Sequence, residues 1–133
     1  MKNNKNDLST PLSRAKGLGA AGDGTTHWFH QRITAVALIP LVIWFVWSII
    51  GLKDASYVDF VVWIGKPFNA IVLISFILAS FYHAALGCQT IIEDYFHHEG
   101  FKIFKLIGTK LFFALGAIAC VFSILKIAFT AGV

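Results

Sequence analysis

Of the 133 residues, 57% are apolar and only 14% are charged, with a formal charge of +4. So small a globule cannot hide that many apolar side chains, which excludes a soluble domain and points to a chain that faces lipid. The cations are too sparse, and too little interleaved with aromatics, for a nucleic-acid surface.

Residues 1–24 mix Asn, Lys, Ser and Gly without apolar periodicity and read as a flexible tail, or one laid along a partner. This stretch lacks the apolar core of a cleavable signal peptide, so the first span is expected to act as the insertion signal. The aromatic, amphipathic TTHWFHQR (Thr25–Arg32) suits the headgroup layer.

Span one is expected at about 33–52, uncharged and long enough for a hydrocarbon core of about 30 Å. Pro40 within it should loosen the helix locally. Lys53 to Pro67 reads as a short loop, with FVVWIG (Phe60–Gly65) as a half-turn in the interface. Pro67 suits the first position of the next helix. Spans two and three follow at about 68–92 and 104–129, with Lys110 and Lys126 near the ends of the third, where long side chains snorkel.

Three spans put the tail and the second loop on one side of the membrane. That side holds Lys2, Lys5, Arg14, Lys16, Arg32, Lys102, Lys105 and Lys110; the other holds Lys53, Lys66 and Lys126. The bias predicts a cytoplasmic N-terminus. Trp28 on one side and Trp47 and Trp63 on the other suit two aromatic belts. Cys88 and Cys120 fit no zinc spacing and read as small packing residues rather than a disulfide.

His83 lies deep in span two. An ionisable residue at that depth is a functional candidate, and the competing reading is an imidazole that glues two helices together. Gly87, Thr90 and Asp94 share its helix face, with Ala79 and Ser80 just below. These small residues leave a slot where a flat macrocycle could approach with the imidazole on its iron. His27, His30, His97 and His98 all lie at or beyond the boundary, so a second axial histidine would have to come from another polypeptide. His97 and His98 read as a solvated pair. Asp94 and Tyr95 end span two on the side where His27, His30, Gln31 and Arg32 open span one. At one depth, such groups could bind a quinone carbonyl or balance haem propionates, although taken singly Tyr95 reads better as a belt residue and Asp94 as pairing with Arg32 or capping charge.

HWFHQRITAVAL (His27–Leu38), VWIG (Val62–Gly65) and FYHAALGCQTIIEDY (Phe81–Tyr95) together resemble the small hydrophobic membrane anchor of succinate dehydrogenase, respiratory complex II. The resemblance implies an all-α membrane protein, with residues 25–133 forming a three-helix anchor that packs with a second anchor subunit. It implies His83 as one axial ligand of a b-type haem iron shared with that companion, and Tyr95 as hydrogen-bonding a ubiquinone carbonyl. Asp94 then stands at the mouth of the quinone site, Arg32 near the quinone or the haem propionates, and His27 or His30 at the same edge. An iron–sulfur subunit and a flavoprotein that oxidises succinate complete the implied complex, so this chain does no chemistry on succinate itself. The implied location is a bacterial inner membrane, with the mitochondrial inner membrane as the alternative. Two other expectations stand beside these: a haem-free structural anchor, and a proton or ion pathway along His83, Thr90 and Asp94.

Overall fold

Four helices and no strand make up the described residues of the computed structural model, 22–130 together with Thr10 and Leu12. They are α1 (Gly22–Gly51), α2 (Tyr57–Gly65), α3 (Pro67–Tyr95) and α4 (Glu99–Thr130). In α1, α3 and α4, Thr25–Gly51, Pro67–Tyr95 and Glu99–Thr130 are each long and apolar enough to cross a bilayer. The chain is a multi-pass, all-α membrane protein. Of the tail expected over residues 1–24, all but Thr10, Leu12 and the last three residues lies outside the described residues.

Thr25–Arg32 is helical and continuous with the apolar run: no glycine or proline separates the two, so α1 winds through it without a break. The helix also continues through Pro40, which removes only the donor to the Val36 carbonyl.

The first connection differs more from expectation. Instead of a loop with a half-turn, it contains the nine-residue helix α2. Ser56 starts it with a capping box: the Asp59 N–H donates to Ser56 Oγ at 3.2 Å, while the Ser56 N–H donates to Asp59 Oδ2 at 3.1 Å. The Ser56 hydroxyl also donates to that oxygen at 2.7 Å. These bonds, the hydroxyl's foremost, hold the exposed Asp59 carboxyl below its ordinary pKa. At the other end, Asn69 Nδ2 donates to the Trp63 carbonyl at 2.8 Å, satisfying one of the acceptors a helix terminus leaves open. Pro67 then occupies the first turn of α3, where its missing N–H costs nothing.

α3 is the axis of the fold. α1 packs along one side and α4 along another, and their Cα atoms do not come within 8 Å of each other. α2 closes one end against α3 and α4, where Ile64, Ala70 and Ile124 form the small buried core. Few other side chains are buried, and large apolar ones such as Trp47 (79%) and Phe129 (78%) are mostly exposed. Water would not tolerate such a surface; lipid does.

Close approach substitutes for a core elsewhere. A Cβ on Gly116 would stand 2.5 Å from Phe81 Cε1, so only glycine lets α4 seat against that ring as it stands. Phe81 in turn meets Phe113 edge-on at 6.1 Å. The Trp44 and Trp63 rings stack at 5.7 Å and tie α1 to α2, while Trp47 stays exposed. Between α3 and α4, Lys105 Nζ sits 3.8 Å over the Phe96 ring and 4.8 Å over Phe101. Cys88 and Cys120 are free and half-buried, in keeping with packing roles.

Candidate functional site

The apolar contact of α1 with α3 is interrupted by polar pairs near the middle of α3. Ser75, Thr90, Ser123 and Thr130 donate their hydroxyls to the carbonyl four residues back, an arrangement that satisfies a hydroxyl inside a membrane helix. Thr34 does the same, with the His30 carbonyl at 2.8 Å and the Gln31 carbonyl at 3.1 Å. It differs in also reaching another helix: Oγ1 lies 2.9 Å from His83 Nδ1.

The Thr34 hydroxyl has one hydrogen, and its own backbone carbonyls lie within reach of it. With that hydrogen on the backbone, Oγ1 accepts from Nδ1–H of His83. In that tautomer Nε2 carries the free lone pair. That is the form in which a histidine ligates a metal.

The same interface holds a second pair. His30 Nδ1 and the Tyr82 hydroxyl share a hydrogen bond of 2.8 Å, with their rings tilted at 6.0 Å. Gly87, read from the sequence as part of an open slot, faces Gln31 instead: a Cβ there would stand 3.7 Å from Gln31 Nε2. Gln31 thus occupies part of that space. His27 lies one turn further along the same face of α1, and its Nε2 is shielded from solvent without a hydrogen-bond partner among the described residues.

The pairing fixes the helix register and spreads the groups that sequence placed at one depth. With Thr34 opposite His83, Arg32 stands only ~3 Å along the axis from the level of His83, whereas Tyr95 is ~18 Å away at 1.5 Å rise per residue. Arg32 is exposed, with its guanidinium 5.7 Å from the Trp28 ring centre. Asp94 and Tyr95 are exposed at the end of α3. Arg32 and Asp94 form no ion pair; the salt bridge among the described residues joins Lys53 and Asp54 at 3.6 Å. His97 and His98 lie exposed between α3 and α4. Among the described residues no three His, Cys, Asp or Glu side chains converge as a metal cluster, a set that a single axial histidine would not need.

Sequence reasoning missed Thr34 and Tyr82. The available signal was the polar stripe His27, Gln31 and Thr34, at four- and three-residue spacing on one face of an apolar helix. A second feature had no sequence signature: α3 and α4 enclose an apolar groove of about 410 Å³ reaching from Leu78 and Ala117 to Gln89 and Lys110, with Tyr82 on its wall.

The family model of succinate dehydrogenase/fumarate reductase transmembrane subunits matches residues 6–125. A succinate dehydrogenase hydrophobic membrane anchor subunit from Rickettsia bellii is 33% identical over 119 residues, covering 89% of this chain and 94% of that protein. Its counterpart in Rickettsia conorii is 30% identical over 86% of this chain and 92% of its own length. The one in Paracoccus denitrificans is 32% identical over 65% and 67%. No solved structure is significantly similar. With the family's pattern running through all three membrane helices, the chain belongs to the succinate dehydrogenase/fumarate reductase transmembrane subunit family.

Proposed function

We propose that this chain is a membrane anchor of a succinate:quinone oxidoreductase, in which His83 is one axial ligand of a b-type haem. The observation that carries the haem reading is the Thr34–His83 contact through Nδ1, which leaves Nε2 available on a helix long and apolar enough to span a bilayer. The residues present fit that group. One histidine comes from this chain, and a second anchor subunit supplies the other. A bound b-type haem contributes one-electron redox capacity; this chain's part is to hold His83 in place. Arg32, close to the level of His83, is placed with the haem propionates, where a fixed positive charge balances carboxylates.

Tyr95 is the donor to a quinone carbonyl. Its phenol is exposed at the end of α3, where an O–H can meet negative charge developing on oxygen, and Asp94 stands beside it. His27 is the better of the two histidines for this edge, because Tyr82 already takes His30. The iron–sulfur protein and the flavoprotein dock on the same side, which the lysine and arginine bias makes cytoplasmic, at a bacterial inner membrane.

The Thr34–His83 bond also suits a haem-free anchor in which the imidazole merely joins two helices. A reduced-minus-oxidised optical spectrum of the detergent-purified complex, beside His83→Ala, separates the two. A b-type signal that shifts or disappears in the variant supports ligation. Absence of the signal from the parent complex leaves the structural anchor. For the quinone site, Tyr95→Phe is expected to lower quinone reductase turnover with haem retained; unchanged turnover and quinone affinity remove Tyr95 from it.

A further inference from the structure

We infer that Thr34 is a positioning residue for the haem ligand, holding His83 by Nδ1 from the neighbouring helix and tuning the haem's reduction potential through it. The inference rests on the reading of His83 as an axial ligand.

Three observations converge on Thr34. Its hydroxyl is 2.9 Å from Nδ1, an ordinary hydrogen-bond distance. The His30 carbonyl lies 2.8 Å from the same oxygen and is within reach of its proton, which leaves Oγ1 lone pairs for an Nδ1–H of His83. One turn along the same face, His30 and Tyr82 pair at 2.8 Å and hold α1 and α3 in register. The acceptor for Nδ1–H is therefore built into α1, and water need not supply it.

The consequence is electronic as well as geometric. An acceptor on Nδ1–H pushes electron density through the ring to Nε2 and makes it a stronger donor, which favours the ferric over the ferrous state. It would also fix the plane of the imidazole. A neutral hydroxyl does this more weakly than a carboxylate, so Thr34 leaves the couple more readily reduced than an aspartate there would.

The test uses the complete complex carrying Thr34→Val, Thr34→Ser or Tyr82→Phe, measured for haem content, midpoint potential by optical redox titration and low-spin EPR. Valine keeps the shape and removes the acceptor. It is expected to raise the midpoint potential, shifting the ferrous-to-ferric equilibrium by roughly fivefold, the scale of one hydrogen bond, and to move the largest g-value. Serine should restore both. Tyr82→Phe breaks the neighbouring register contact but leaves Nδ1 bonded, so its potential should match the parent. A parent-like potential and g-value in the valine variant overturn the inference, as does an equal shift in Tyr82→Phe, which would make the effect one of helix packing. If the valine chain does not assemble, Thr34→Ala is judged by the same readouts; failure of both to assemble, with serine intact, assigns the hydroxyl to folding and overturns it too. Absence of haem from the parent refutes the ligand reading itself, and this role with it.

Discussion

Gly116 offers the most quantitative test of how the helices are held. Alanine there would put its Cβ 2.5 Å from Phe81 Cε1, 3.3 Å from Cζ and 3.4 Å from Cδ1. Ordinary carbon contacts lie at about 3.5–4.0 Å, so the ring edge must retreat by roughly 1 Å or α4 must lift. Moving the ring disturbs its edge-on contact with Phe113, worth about 0.5–1.5 kcal/mol, and overpacking of this kind typically costs about 1–3 kcal/mol in all. Two effects pull the other way. Alanine gains about 1 kcal/mol of helix propensity over glycine, and the groove of about 410 Å³ that Phe81 also lines gives the ring somewhere to swing.

The expected net effect of Gly116→Ala is therefore a destabilisation of about 1 kcal/mol, and Phe81→Leu should relieve the clash. A double-mutant cycle read by thermal unfolding of the purified complex in detergent isolates the contact. The coupling between positions 81 and 116 should be stabilising in the double variant and at least about 0.5 kcal/mol. Strict additivity would refute the close approach, because two residues that do not touch have no reason to couple.

Other consequences follow from the ends of the helices. Ser56→Ala removes the acceptor for the Asp59 N–H and should speed hydrogen exchange at the first-turn amides of α2 while leaving α3 protected; unchanged exchange argues against the capping box. Because the folded Asp59 pKa lies below its ordinary 3.8, its contribution is present above that value and is lost as pH falls through the folded pKa. NMR of α2 in detergent should therefore show its start loosening only at that acidity, and Asp59→Asn should abolish the pH dependence. Lys105→Gln loses two ring contacts and should cost about 0.5–1 kcal/mol in thermal unfolding, whereas exposed Lys126→Gln should cost nothing measurable. Arg32→Leu is expected to disturb the haem spectrum more than assembly; equal loss of both would make it structural.

The three membrane helices were legible because a bilayer demands long, predominantly apolar runs, and Ile33–Leu52, Phe68–Ile92 and Phe104–Phe129 supply them. α2 was not, because its signal is a single Ser56–Asp59 box amid charged residues that read as loop. The candidacy of His83 was legible from cost alone, since a polar ring at that depth needs a reason. Its partner was not: a threonine in an apolar helix normally closes on its own backbone, as Thr90 does, and only the seating of α1 on α3 reveals that Thr34 reaches further. The same seating separates Arg32 from Tyr95, which linear sequence placed together because both lie near the same end of a span.

That seating is also the reason the polar pairs matter beyond any ligand. In lipid no hydrophobic force drives one apolar helix onto another, so register must come from close packing and hydrogen bonds. α4 obtains its register from Gly116 against Phe81 and from the buried cluster around Ile124. α1 brings no Cα within 8 Å of α4, and none of its residues is among those that form or pack against that cluster. It is held near one end by the Trp44–Trp63 stack and by Phe45 stacked on Phe76 of α3 at 4.5 Å, and near the other by Thr34–His83 and His30–Tyr82. A one-residue slip of α1 would rotate its face by ~100° and strip both polar pairs at once, leaving an imidazole unpaired in hydrocarbon. The same two hydrogen bonds therefore exclude the wrong packings and present His83 in one orientation. A substitution at Thr34 must be expected to act on the ligand and on the helix together, and only the comparison with Tyr82→Phe, which loosens the helix alone, divides one from the other.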